Sequence, residues 1–99
     1  MTIRHTWQRP ETVPIWAQIE VAATLHDPSE TVLLTMTDPK GTVILDEVTM
    51  DKDSLGMYIY EWTSLTTSEV GWYRAMAHAQ DGTGAGAKIT IEYGGFYLQ

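Results

Sequence analysis

Residues 15 to 26, IWAQIEVAATLH, alternate between apolar and mixed positions. Ile15, Ala17, Ile19, Val21, Ala23 and Leu25 fall on one face; Trp16, Gln18, Glu20, Ala22, Thr24 and His26 fall on the other. Period two with a more polar outer face predicts one half-buried antiparallel strand. On a helix the same apolar positions would circle the axis. TVLLTMT, residues 31 to 37, sets Val32, Leu34 and Met36 inward. DPKG, residues 38 to 41, has proline second and glycine fourth, which is type I turn chemistry. TVILDEV then returns, so a hairpin is predicted over residues 31 to 48.

The polar stretch MDKDSLG, residues 50 to 56, reads as a loop. LGMYIYEWTS follows, with Tyr58, Tyr60 and Trp62 on one face and Met57, Ile59 and Glu61 on the other. The rings are expected in the core, where an aromatic side chain spans the ~10 Å between two sheets. TSLTTSEV crosses over to GWYRAMAHAQ, with Tyr73, Ala75, Ala77 and Ala79 inward and Trp72, Arg74, Met76 and His78 outward. DGTGAG is a hairpin loop whose glycines tolerate positive φ. AKITIEYGGFYLQ is the closing strand, with Ile89 and Ile91 in the core and a bulge or bend at Gly94–Gly95. The predicted core is Ile19, Val21, Val32, Leu34, Tyr58, Tyr60, Tyr73, Ile89 and Ile91. About seven short strands at this spacing predict an all-β, Ig-like antiparallel β-sandwich. It forms a single domain over residues 13 to 99, preceded by an N-terminal segment or first strand over residues 1 to 12.

Several motifs in this order resemble a group of Ig-like domains found in small proteins of tailed phages and prophages. Their pattern is related to macroglobulin-type and other bacterial Ig-like domains. The motifs are the long alternating second strand, DPSETV at residues 27 to 32, DPKG at 38 to 41, Gly56-Met57-Tyr58-Ile59-Tyr60, Gly71-Trp72-Tyr73 and the ending Gly94-Gly95-Phe96. The resemblance spans roughly residues 13 to 98; the chain departs from it at ETVP, where relatives show Gly-Asp, and in an ending richer in aromatics. It implies a virion accessory or decoration part. Tyr73 also resembles the inward tyrosine of a tyrosine corner, whose hydroxyl bonds nearby backbone.

Composition narrows the chemistry. The chain has 99 residues, 13 acids against 6 bases and a net charge of −7. Phosphate binding needs clustered Lys and Arg, and the bases here are scattered, so nucleic acid is an unsuitable partner. The same charge disfavours anionic membranes. No cysteine is present, so neither disulfides nor thiolate metal sites contribute. MTIRHTWQRPETVP lacks the apolar run of a signal peptide, and no stretch approaches the ~20 apolar residues of a membrane span. The expected location is the cytoplasm where the chain is made, or a virion.

No catalytic, cofactor or metal site is expected. His5, His26 and His78 belong to different elements, and no metalloprotease helix, phosphate loop or nucleophile elbow appears. Nothing in the sequence points to a Ser–His–Asp triad. Asp51 and Asp53, close to Asp46 and Glu47, leave two readings open: a solvated polar loop, or an oxygen cluster for calcium without the full loop spacing. The outward apolar residues carry more information. Trp16, Met57 and Ile59 are expected near one another on one sheet, and Trp72, Arg74 and Met76 on the other. These types are enriched in protein interfaces. They predict a non-enzymatic interaction module with a protein partner or self-association; two other readings stay open, plain exposure or cover by the N-terminal segment with Ile3 and Trp7, and a glycan- or cell-surface-binding module.

Overall fold

The structure is a computed structural model that describes residues 5–21, 24–82 and 88–99. Ten strands run through them: β1 (Thr6–Trp7), β2 (Thr12–Gln18), β3 (Glu20–Val21), β4 (Thr24–Leu25), β5 (Val32–Thr37), β6 (Val43–Thr49), β7 (Asp51–Ser54), β8 (Met57–Thr63), β9 (Gly71–Asp81) and β10 (Lys88–Leu98). Three of these (β1, β3 and β4) are two-residue pieces, and the other seven build the sandwich. One sheet has the order β1-β10-β9-β5-β6, the other β2-β8-β7, and β3 and β4 pair with each other. In the immunoglobulin scheme β2, β8 and β7 take the places of strands B, E and D, and β5, β9 and β10 those of C, F and G. The expected all-β, Ig-like sandwich is the observed fold.

The core lies between the two sheets. Val13, Ile15, Ala17, Ile19 and Tyr58 come from one side; Val32, Leu34, Met36, Tyr73, Ala75, Ala77, Ala79, Phe96 and Leu98 come from the other. Tyr60 and Trp62 are half-buried against this cluster. The aromatic stretch of β8 therefore does face the core. At one end Trp62, Tyr73 and Phe96 pack together, with centroid distances of 5.0 to 5.9 Å; Tyr73 and Phe96 are stacked at 6°. The Tyr73 hydroxyl donates to the Glu69 carbonyl at 2.6 Å, closing a tyrosine corner four residues upstream.

Three expectations need correction. The strand read over residues 15 to 26 ends at Gln18, and Ile19 follows it. There the Ile19 N–H donates to the Gly56 carbonyl, while the Ile19 carbonyl accepts from the His26 N–H. The chain leaves β8 and folds into the β3–β4 hairpin, whose four strand residues are exposed. Val21, expected in the core, is consequently 49% exposed. Ala23 lies outside the described residues. Gly56 makes the crossing possible: its φ is +67°, and a Cβ would sit 2.9 Å from His26 N and Ile19 O.

The second correction concerns β10. Its register against β9 is uninterrupted from Lys88 to Leu98, so Gly94–Gly95 is not a bulge. Ile91 and Phe96 differ in parity, and without a bulge they face opposite sides of the sheet. Phe96 and Leu98 are buried, and Ile91, expected in the core, is 43% exposed. The Ile89 side chain lies outside the described ones. Thirdly, Asp51–Ser54, read as loop, is strand β7, paired with β8. A polar composition is compatible with an edge strand because its hydrogen bonds are backbone bonds. Met50 beside it is buried and donates its N–H to the Val32 carbonyl at 2.9 Å.

Candidate functional site

The outer face of the five-stranded sheet gathers large apolar side chains. The β9–β10 register sets Trp72 opposite Tyr97, Arg74 opposite Gly95, Met76 opposite Tyr93 and His78 opposite Ile91. On the other flank of β9, Thr37, Thr35 and Leu33 lie beside Arg74, Met76 and His78. Tyr93 is 76% exposed, Trp72 58%, and Ile91 and Tyr97 43% each. Met76 is half-buried and Arg74 exposed. The Trp72 and Tyr97 rings meet edge-on, centroids 6.1 Å apart at 61°. Among the described residues that alternation places on this side of β5, β9 and β10, Arg74 is the one fully charged residue and there is no carboxylate.

Trp16, Met57 and Ile59 lie on the other sheet. Trp16 pairs with Ile59, and Gln18 with Met57. Trp16 is exposed, whereas Met57 and Ile59 are half-buried. The structure thus separates the six candidate interface residues into two patches on opposite outer faces, as alternation implied. What the sequence reading missed are Tyr93, Tyr97 and Ile91. They join the larger patch because β10 continues in register through its two glycines. The matching odd parity of Ile91, Tyr93 and Tyr97 was the available signal.

The histidines do not converge. His78 lies on the outer face, His5 lines a gap between the sheets, and His26 is half-buried at the end of β4. His26 Nε2 lies 2.9 and 3.0 Å from the two Asp81 carboxylate oxygens. Ser29 is close by, which brings a serine, a histidine and an aspartate together. Yet Ser29 donates its N–H to Asp81, and its Oγ accepts from the Gly82 N–H. Among the described residues no hydrogen bond links this serine to His26. The arrangement ties the loop after β4 to the end of β9 and leaves the hydroxyl without a base.

The acidic stretch is engaged elsewhere too. Asp27 accepts from Lys52 Nζ at 2.6 Å and from the Gly56 N–H at 2.8 Å. These bonds, the lysine first, hold the Asp27 carboxyl below its usual range, and the same pair raises the Lys52 ammonium. Burial raises the Tyr58 and Tyr73 phenols. Asp51 and Asp53 stand exposed along β7, and among the described residues no three His, Cys, Asp or Glu side chains come together as a metal site.

A cleft of about 360 Å³ opens between the sheets where β2 faces β10. Its apolar lining includes Val13, Ile15, Ala75, Ala77 and Phe96, with Gly94 at its wall. Its described lining is mostly apolar, which is the character of a binding gap.

No protein-family profile matches this chain, and no curated protein matches it. Among solved structures, the fold is similar to part of a DUF4785 family protein from Legionella pneumophila subsp. pneumophila str. Philadelphia 1. The TM-score is 0.65 at 15% identity, over 96% of this chain and 26% of that one. The chain therefore spans about a quarter of that protein, and the likeness at this identity is one of fold. No helix among the described residues is long and apolar enough to cross a membrane.

Proposed function

We propose that this chain is a non-enzymatic structural or interaction module that docks on another protein subunit through the outer face of its five-stranded sheet. One observation carries the reading: Trp72, Tyr97, Tyr93, Met76 and Ile91 form a contiguous apolar row, largely exposed, around Arg74. Contiguous exposed patches mark contact sites, while scattered apolar residues do not. Trp, Tyr, Met and Arg are also the types that interfaces favour.

Charge selects the partner. In a chain of net charge −7, the part of this face built by β5, β9 and β10 carries an arginine and no described carboxylate, and Asp38 and Lys40 of the β5–β6 turn border it beside Trp72 and Arg74. It suits an apolar surface with an acidic group for Arg74. The resemblance to small Ig-like phage proteins supports a phage or prophage particle as the assembly, with this chain as an accessory or decoration component. A glycan platform has less support, because Trp72 and Tyr97 meet edge-on and do not present one flat surface.

In cells carrying such a particle, the wild-type chain should sediment with it and Trp72→Ser should stay at the top of the gradient. The purified variant should melt with the wild type. Particles that retain Trp72→Ser would remove this face from the docking. Tryptophan quenching across a glycan panel would move the assignment to sugar binding.

A further inference from the structure

The three-stranded sheet ends at β2, with no described strand on its free edge. Hydrogen bonds at both ends of β2 fix which backbone groups point there. Ile19 donates to the Gly56 carbonyl at 2.7 Å, and Ser64 donates to the Glu11 carbonyl at 3.1 Å. Bonded and non-bonded pairs alternate in an antiparallel ladder, so the odd-numbered residues of β2 are the ones bonded to β8. The backbone groups of Thr12, Pro14, Trp16 and Gln18 therefore face the free edge. Pro14, which has no N–H, stands at a position where β8 needs none.

The outer strands elsewhere are guarded. β7 reads Asp-Lys-Asp-Ser, and β6 carries Asp46 and Glu47 within an irregular register, Glu47 at φ +49°. Charges and bulges are the usual protection of sheet edges. β2 reads Thr-Val-Pro-Ile-Trp-Ala-Gln and has no charge; its one guard is Pro14, which lies before the edge groups of Trp16 and Gln18. Beside it the 360 Å³ cleft exposes part of the apolar interior. A Cβ built on Gly94 at its wall would meet nothing within 4 Å. In the immunoglobulin scheme this edge belongs to strand A, next to B. Here β1 pairs with β10 instead, in parallel.

We infer that this edge and cleft accept an extended segment of a partner chain, which adds to β2 as a fourth strand. Its main chain bonds the edge groups of Trp16 and Gln18, and its inward side chains fill the cleft. Charge complementarity sets its chemistry. Neither β2 nor β8 holds a lysine or arginine; exposed Glu20 accepts from Gln18 at the end of the edge, and exposed Glu61 stands opposite Pro14 on the neighbouring β8. The occupant is a run of roughly six residues, a typical strand length, aliphatic at alternate positions and basic on its outward face. The site borders the outer face of the five-stranded sheet at Tyr93, which lines the cleft, but Trp72 and Tyr97 do not line it, so a Trp72 variant separates the two assignments.

The probe is a synthetic peptide alternating valine and threonine with lysines at both ends. Its control has the same composition with the valines consecutive. Amide hydrogen exchange is read by NMR. The alternating peptide should slow exchange at Trp16 and Gln18 by about tenfold or more, with little change at Ile15 and Ala17, whose N–H groups already bond β8. Gly94→Val projects a side chain from the cleft wall, where its Cβ meets nothing within 4 Å, and should abolish this protection while thermal stability holds or rises. Trp16→Pro, which removes an N–H that β8 does not use, should do the same. Trp72→Ser should leave it intact. Unchanged exchange at millimolar peptide would overturn the proposal, as would equal protection by the control or full protection in Gly94→Val. Protection already present in the free protein would also overturn it. If deleting residues 1–4 removes that protection, the edge belongs to the chain's own start; if dilution removes it, to a second copy.

Discussion

The two ends of the β9–β10 ribbon differ in what they place inside. Near Gly71 and Leu98 the inward positions are Tyr73, Phe96 and Leu98, all buried, and Trp62 of β8 packs across them. Further along, the inward face of β9 falls to Ala75, Ala77 and Ala79, with Gly94 opposite Ala75. The bulky residues there, Ile91 and Tyr93, face out. One end therefore has rings that hold the sheets together. The other leaves a cleft at the β2 seam and has its bulky residues on the outside, where they continue the exposed apolar row that Trp72 and Tyr97 begin at the packed end.

The packed end should show the largest mutational effects. Tyr73→Ala removes a ring stacked on Phe96 and tilted against Trp62, and should cost about 3–5 kcal/mol, the range for large aromatic deletions in cores. Chemical denaturation measures it. The neighbouring glycines sharpen the comparison. A Cβ on Gly95 would lie 2.5 Å from the Tyr73 carbonyl oxygen, whereas one on Gly94 points into open space. Gly95→Ala should cost ~1–3 kcal/mol as overpacking, and Gly94→Ala should be close to neutral. Equal losses at the two positions would show that the cleft beside Gly94 is closed in solution.

Tyr73→Phe keeps the ring and deletes the corner hydrogen bond. It should cost about 1 kcal/mol, partly through the Glu69 carbonyl it leaves behind. A smaller effect comes from the Asp27–Lys52 pair. The folded Asp27 pKa is lowered, so its contribution is present above the unfolded carboxylate pKa and is lost as pH falls through the folded value. Lys52→Met should flatten the acid limb of a pH–stability curve slightly, and added salt should shrink the difference because the pair is solvent-exposed.

Much of this organisation was legible in the chain. Alternation located β5, β8 and β9, the DPKG turn located the β5–β6 connection, and Gly-Trp-Tyr located the tyrosine corner. Ile19, Val32, Leu34, Tyr58 and Tyr73 are buried as expected. The failures share a cause. Period two says which residues share a face but not where a strand ends or whether its register slips. Val21 continues the alternation of β2, yet the backbone bonds of Ile19, Gly56 and His26 turn the chain away first. Ile91 and Phe96 can both face inward if Gly94–Gly95 bulges, and a pair of glycines does not reveal that it stays in register. That ambiguity hid Tyr93 and Tyr97 from the candidate face. The β2 edge, which no described strand covers, was hidden as well, since it depends on which strand pairs with β10.

The central claim is that the two sides of this ribbon have different tasks, and thermal unfolding of Trp72→Ser beside Phe96→Ala tests it most directly. Each kcal/mol shifts the melting temperature of a domain this size by about 4–8 °C, so Phe96→Ala should melt at least ~12 °C below the wild type. Trp72→Ser should melt within a few degrees of it, as a surface substitution of ~0.5 kcal/mol or less would. A Trp72→Ser loss as large as that of Phe96→Ala would show that Trp72 serves the fold, and would contradict the account.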